Sequence, residues 1–183
     1  MMGKEIEVKV LNIDIVEIEK KLKKIGAIKV KEEYQENVLF DVKDKLIMAG
    51  INGYLRMRTV EDKLKNKVTH EFTLKKVVSS DGNMRINNEI ETCIDCPENL
   101  IEILKALGIL VLGRGFKERI SYELDGILFE IDKWDKKTYP DAYMEIEVSS
   151  ENELYKAIEL LDLNRKNITT KSIDELRKDK GMK

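Results

Sequence analysis

The sequence predicts an α+β fold in a single domain, residues 1–183, with about eight mainly antiparallel strands and three or four helices. Three observations carry that expectation. Most segments alternate apolar and polar residues with a period of two, which is strand spacing. A few place apolar residues at helical spacing and stop at or near a glycine. Asp-Gly pairs stand between neighbouring alternating runs, which marks hairpins and therefore antiparallel pairing. Eight is also a strand number that closes a small barrel.

Taken in order, residues 4–11 alternate and open the chain as a strand. Asp14 to Ile25 puts Ile15, Ile18, Leu22 and Ile25 on one helical face, and Gly26 stops the helix. Strands follow at 28–41, 53–61, 68–78 and 84–94, with a turn at Gly50 to Gly53 and a hairpin at Asp81-Gly82-Asn83. A helix over 98–107 closes at Gly108. Strands at 115–124 and 127–134 flank Asp125-Gly126, a second hairpin, and the last strand covers 142–149. Helices at 151–162 and 171–180 complete the chain. Glu5-Ile6-Glu7-Val8, Glu89-Ile90-Glu91-Thr92 and Glu145-Ile146-Glu147-Val148 each precede a helix, which suggests a recurring strand-to-helix unit.

The charges on these strands are ordered. Side chains two apart share a face of a strand. Acidic pairs at that spacing are Glu5/Glu7, Glu89/Glu91, Glu130/Asp132 and Glu145/Glu147; basic pairs are Arg56/Arg58 and Lys117/Arg119. Lys9 extends the first pair, and Thr73/Lys75 joins a hydroxyl to an ammonium. The residues between them are largely apolar, so each strand has one charged and one greasy face. Greasy faces pack on the helix stripes, which leaves the charged faces to line either solvent or a tunnel. For one strand, an open sheet with a soluble face accounts for the pattern. Repetition over many strands, with the signs segregated by strand, favours a tunnel, because surface charge ordinarily mixes signs. Converging carboxylates without His or Cys suit hard ions such as Mg2+ or Mn2+. A wall of Arg and Lys suits a polyphosphate, since guanidinium forks match phosphate oxygens.

Composition narrows the function classes. The chain has 33 basic and 35 acidic residues, net −2, which argues against a nucleic-acid or anionic-membrane binder. Its apolar stretches, such as Ile109 to Leu112, are too short to span a bilayer. Met-Met-Gly-Lys-Glu carries no apolar signal region, so the expected location is the cytoplasm. Cys93 and Cys96 form one C-x-x-C with no second pair, and His70 is the one histidine; small residues at a strand end account for them better than zinc or redox chemistry. His70 reads as a surface or packing residue and Trp134 as core or rim packing. Arg177 to Lys183 reads as a frayed, exposed end.

The order of charged motifs resembles the CYTH, or triphosphate tunnel, superfamily, which includes class IV adenylyl cyclases, thiamine triphosphatases and bacterial tripolyphosphatases. Glu5-Ile-Glu-Val-Lys9 matches the family's E-x-E-x-K opening. Leu55-Arg56-Met57-Arg58, Thr73-Leu74-Lys75, Glu89-Ile90-Glu91, Lys117-Glu118-Arg119, Phe129-Glu130-Ile131-Asp132, Met144-Glu145-Ile146-Glu147 and Lys171-Ser172 follow in family order. The resemblance implies an eight-stranded antiparallel barrel with helices packed outside. It implies Glu5, Glu7 and Glu147 as ligands of a Mg2+ or Mn2+ ion, with Asp132 and Glu145 for a second ion and Glu89, Glu91 and Glu130 supporting. It implies Lys9, Arg56, Arg58, Lys75, Lys117, Arg119 and Lys171 as phosphate-binding residues, with Lys9, Arg58 and Lys75 the catalytic candidates. One departure is Leu39-Phe40-Asp41, where many relatives read Tyr-Phe-Asp; Tyr34 is the nearby tyrosine that would have to stand in.

The layout is most similar to the class IV adenylyl cyclase branch, which implies attack by a ribose 3′-hydroxyl on the α-phosphorus of ATP to give cyclic AMP and pyrophosphate. Attack by water would instead make a tripolyphosphatase or thiamine triphosphatase, and a non-catalytic triphosphate or polyphosphate binder is the third reading. The implied partner is thus a small triphosphate: ATP, tripolyphosphate or thiamine triphosphate. Self-association as a homodimer stays open.

Overall fold

The computed structural model describes residues 2–80 and 84–182, with side chains from residue 6 onward in the first strand. Strands β1 (Met2–Val10), β2 (Ile28–Asp41), β3 (Gly53–Asp62), β4 (Lys67–Ser80), β5 (Arg85–Cys93), β6 (Leu110–Leu124), β7 (Ile127–Trp134) and β8 (Tyr143–Val148) pair antiparallel in the order β5-β4-β3-β2-β6-β7-β8-β1. Pairing of β1 with β5 closes the sheet into a barrel. A two-residue strand, β9 (Ile168–Thr169), pairs with β1 at Lys9 and Val10. Closure leaves a sheet without long free edges.

The helices are α1 (Ile15–Lys24), α2 (Leu46–Ile51), α3 (Pro97–Ala106), α4 (Glu151–Leu160) and α5 (Ile173–Asp179). Asp14 accepts the Glu17 amide to start α1, Ser150 accepts that of Glu153 to start α4, and Ser172 with Glu175 forms a capping box on α5. The strand-to-helix repeat is real in space: β1 runs into α1, β5 into α3 and β8 into α4. Helices α1, α3 and α4 lay their apolar stripes on the outside of the barrel. Ile18, Leu22, Leu154, Ala157 and Ile158 pack on Val8, Val10, Phe129, Ile131 and Ile146, and Leu104 packs with Val38, Phe40, Leu55 and Met57. The hydrophobic core therefore lies between barrel and helices, and the barrel interior is polar.

Two segments depart from the sequence expectation. The turn read at Gly50 to Gly53 belongs to a longer connection containing α2. The fully buried Asp41 creates that helix by accepting the amides of Val42, Ile47 and Met48 at 2.7, 2.8 and 2.9 Å. Strand β6 begins at Leu110 rather than 115, because β2 is long enough to pair with it as far as Asp41. The hairpin expected at Asp81-Gly82-Asn83 lies outside the described residues. Cys93 ends β5 and Cys96 precedes α3; both are exposed free thiols. His70 faces away from the barrel interior and bonds Thr59 at 3.0 Å. Among the described residues, no helix is long and apolar enough to cross a membrane.

Candidate active site: a charged cavity through the barrel

The inward residues follow from the register. On β1 and β8, Glu7 stands opposite Glu147 and Lys9 opposite Glu145. Like charges placed directly across a strand pair repel, so this placement is costly unless a cation joins it. Ligand oxygens of Glu7, Glu145 and Glu147 all lie within 4.8 Å of one another. Lys9 supplies part of the compensation, 3.0 Å from Glu145 and 3.9 Å from Glu7. Lys75 reaches across to Glu7 at 3.4 Å and Glu89 at 2.7 Å, and Arg85 approaches Glu7 at 3.8 Å. Burial opposes the charge on Lys9, but Glu145 and Glu7 outweigh it and raise its pKa. Burial likewise opposes ionisation of Glu145, and Lys9, Arg119 and Lys117 overcome it, holding its pKa well below the ordinary carboxylate value.

A second network joins β6, β7 and β8. Arg119 stands opposite Asp132 and binds it in a fork, Nε to Oδ1 and Nη2 to Oδ2, each at 2.7 Å. The same guanidinium reaches Glu145 at 2.9 Å and pairs with Glu130. Lys117 donates to Asp132 at 2.8 Å and sits 5.2 Å from the Trp134 ring centre. Because Arg119 takes the larger share of Asp132, burial first and the Arg119 charge next push Lys117 down to about 8.

On the β2–β3 side the cations are less neutralised. Burial, then Arg56 and Arg119, lower the pKa of Arg58, whose acidic neighbour Glu71 is 3.7 Å away. Arg56 is buried and lies over the Tyr54 ring at 5.5 Å, with its Nε lacking a hydrogen-bond partner among the described residues. The amide nitrogens of Asn37 and Asn87 also lack partners, while their oxygens accept from Arg58 and Arg85 at 3.2 Å. Buried donors without acceptors are costly; of these residues, Arg56 and Asn37 face the barrel interior.

Most of these side chains, though not Asp132 or Asn87, line one cavity of about 750 Å3, reaching from Lys31 and Leu128 to Ser172 and Arg177. Its lining is more basic than acidic although the chain carries net −2. The sequence-derived residues Glu7, Lys9, Arg56, Arg58, Lys75, Glu89, Glu91, Lys117, Arg119, Glu130, Glu145 and Glu147 all line it. Glu5 stands in β1 opposite Asn87, with its side chain outside the described residues. Asp132 does not join the three-carboxylate group; it is fully buried, with its oxygens held by Arg119 and Lys117. Lys171 is exposed, is not part of the cavity lining, and pairs with Asp179 at 2.6 Å. Tyr34 cannot stand in for the missing tyrosine at Leu39: an even-numbered β2 residue faces outward, and its ring stacks on Phe116 outside the barrel.

The sequence reading missed Arg85, Tyr54 and Tyr143, although each shares a strand face with a named charged residue. It also missed Arg177, which is not frayed: it donates to the carbonyls of Lys137 and Thr138 and lines the cavity from α5. Trp134 packs at the rim with its indole N–H on the Tyr143 hydroxyl at 2.8 Å.

A model of the CYTH domain matches residues 3–175. The chain belongs to the CYTH family. Solved structures agree in fold over nearly the whole chain. The PH1012 protein of Pyrococcus horikoshii is 26% identical, with TM-score 0.76 over 94% of this chain and 98% of that one. A Vibrio parahaemolyticus protein provisionally described as an adenylate cyclase is 14% identical, with TM-score 0.70 over 95% and 97% of the two chains. HpAC1 from Hippeastrum, described as an adenylyl cyclase candidate with a dominant triphosphatase activity, is 17% identical, with TM-score 0.63 over 100% and 89%. No curated protein matches the sequence. For this CYTH protein the fold is thus fixed, and the chemistry has to be argued from the cavity.

Proposed function

We propose that this CYTH protein is a Mg2+- or Mn2+-dependent enzyme that acts on a triphosphate inside its barrel, most like a class IV adenylyl cyclase converting ATP to cyclic AMP and pyrophosphate. The observation that carries the reading is the meeting, in one cavity, of the Glu7, Glu145 and Glu147 carboxylates with Arg56, Arg58, Lys75, Lys117 and Arg119. The donor set fits a hard divalent ion, being oxygen-only and clustered within 4.8 Å. Such an ion supplies charge neutralisation at phosphate oxygens.

The chain's own residues supply alignment. Arg56 and Asn37 present buried donors and Arg58 a half-buried one from adjacent strands, and Lys117 and Arg119 stand beside them on β6. Lys9 and Lys75 touch the acidic group, so phosphate oxygens beside it meet their ammonium groups. Lys9, Arg58 and Lys75 thereby stabilise the charge that builds on the reacting phosphoryl group. Phosphoryl chemistry needs such positioning and neutralisation rather than covalent help from the protein.

The same geometry serves attack by water. The dominant triphosphatase activity ascribed to the Hippeastrum neighbour favours a tripolyphosphatase or thiamine triphosphatase as the second reading. A product-resolved screen with Mg2+ and Mn2+ tests both: ATP, thiamine triphosphate and inorganic tripolyphosphate are offered, and cyclic AMP, pyrophosphate and phosphate are separated. Cyclic AMP selects the cyclase and orthophosphate the hydrolase. Tight binding without turnover of any of the three reduces the protein to a triphosphate binder.

A further inference from the structure

Strand β6 outruns its neighbour on one side. Its pairing with β2 runs from Glu123 to Leu110, whereas its pairing with β7 ends at Lys117↔Trp134. The loop after β7 then holds Phe116, whose amide donates to Asp135 Oδ2 at 2.8 Å and whose carbonyl accepts the Asp135 amide at 2.8 Å. From Leu110 to Arg114 the strand has no pairing on that side among the described residues, so the closed barrel still has one short free edge here. Backbone orientation alternates along a strand. Phe116 turns its amide and carbonyl towards the β7 side, so Arg114, two residues away, turns its own into the gap. The β2–β6 register jumps from Leu39↔Gly113 to Phe40↔Val111, which makes Leu112 the extra residue of a bulge. The next residue with the orientation of Arg114 is therefore Val111.

Exposed edges are ordinarily blunted by lysine, proline or a covering segment. Where β2 outruns β3, Lys29 and Lys31 stand on the edge beside a register shift. The β6 edge reads Leu110-Val111-Leu112-Gly113-Arg114 and has neither lysine nor proline. Its one charge is already taken by Glu36, 2.7 Å from Arg114. Gly113 leaves the backbone open to approach, since even an added Cβ would meet nothing within 4 Å. Leu110 and Leu112 are 48% and 40% exposed, and Leu107, just before the strand, is 70% exposed.

We propose that this edge is the interface with a second copy of the chain, the two β6 strands pairing antiparallel about a two-fold axis between Leu112 and Gly113. That register sets Arg114 opposite the partner's Val111, so the amides and carbonyls facing the gap meet one another and the two guanidinium groups stay apart. Closure favours an identical strand over a foreign one. An isologous pair uses up both free edges, whereas an added peptide leaves its own outer edge open. Self-pairing also meets no uncompensated charge, because the segment offers aliphatic side chains and one neutralised arginine. Leu112, Gly113 and Arg114 line the cavity. A single copy leaves that wall one strand short, and the partner strand completes it.

Sedimentation velocity of the full chain should give twice the monomer mass of 21.2 kDa. Hydrogen exchange of the Arg114 amide, read by NMR, should be slow in the dimer and fast once dilution dissociates it. Arg114→Pro removes an amide that only the partner uses, and Leu110→Lys puts a blunting charge on the edge. Each variant should sediment as a monomer with wild-type circular dichroism; if the proline variant does not fold, the lysine variant decides. A wild-type chain that stays monomeric at its solubility limit overturns the proposal, as does a dimer that Leu110→Lys leaves intact. Association beyond a dimer overturns it too, since the two-fold pairing leaves no edge to extend.

Discussion

Replacing Asp132 by Asn tests whether the barrel interior is held by its ion pairs. Asp132 is fully buried and receives three short bonds, one from Lys117 at 2.8 Å and two from Arg119 at 2.7 Å. Removing one partner of a buried pair costs about 3–5 kcal/mol, because the remaining charge is left without compensation. Arg119 retains Glu130 and Glu145, so most of the loss falls on Lys117, whose other neighbour is the Trp134 ring. The lower end of the range, about 3 kcal/mol, is therefore expected. For a chain of this size that is a fall in melting temperature of about 6–12 °C. The effect also has a pH signature. Burial opposes ionisation of Asp132, but Arg119 and Lys117 win and lower its folded pKa. Its contribution is thus present above the unfolded carboxylate pKa and is lost as pH falls through the folded one. Urea unfolding of wild type and Asp132→Asn, measured from neutral pH into acid, should give curves that converge in acid. A difference below about 1 kcal/mol at neutral pH, or one that does not change with pH, refutes the reasoning.

Three further outcomes are expected. Lys117 deprotonates near pH 8 in the ligand-free protein, so triphosphate affinity should fall above that pH, by up to about tenfold per pH unit; Lys117→Arg should remove the dependence, as read by titration between pH 7 and 9.5. Glu147→Gln should weaken Mn2+ binding by at least about tenfold while leaving metal-free tripolyphosphate binding intact or stronger, because it removes a carboxylate and no cation; calorimetry with each ligand alone checks it. Gly53→Ala should cost about 3 kcal/mol or more, since its Cβ would lie 1.9 Å from the Lys75 carbonyl oxygen, whereas Gly113→Ala meets nothing within 4 Å and should be near neutral in thermal melts.

The barrel was legible because alternation runs through most of its strands, broken at a few irregularities such as Leu39/Phe40. Period-two patterning with charges on one face and Ile, Val, Leu or Met on the other fixes which side chains turn inward once the sheet closes, and residues of the charged pairs on β3, β5, β6 and β8 line the cavity together. Arg85 and Tyr143 escaped because one lone charge or phenol carries no such pattern. Asp132 shows a different limit: parity places it inside, but cross-strand register decides what it touches, and the pairing of Arg119 with Asp132 is a property of β6 against β7 rather than of either strand. That Arg177 lines the cavity while Lys171 pairs with Asp179 has a similar reason. Lys171 precedes α5 and Arg177 lies within it; the orientation of that helix is set by Leu176 packing on Tyr139 and Tyr143, and no local pattern encodes that docking. Helix α2 was invisible because its N-terminal amides are satisfied by Asp41, outside the helix itself.

The ion pairs also explain why metal and triphosphate should bind together. In the free cavity Lys9, Lys75 and Arg119 are shared with Glu145, Glu7 and Glu89 at 2.7–3.4 Å. A polyanion entering among these cations competes for them, and each cation it draws away leaves Glu7, Glu145 and Glu147 repelling one another. Two carboxylate charges about 4.8 Å apart cost roughly 3.5 kcal/mol at an effective dielectric of 20. A divalent ion held by Glu7, Glu145 and Glu147 would remove that penalty. By thermodynamic linkage, whatever factor the ion adds to triphosphate affinity the triphosphate adds to ion affinity. Shortening Lys9 to Ala should separate the two contributions. With its ammonium gone, the free acidic group is already uncompensated, so metal binding without triphosphate should tighten and the coupling between the ligands should shrink. Calorimetric titration of Mn2+ into Lys9→Ala, with and without tripolyphosphate, measures both quantities. Weaker Mn2+ binding in the variant would mean that the lysine organises the carboxylates rather than competing for them.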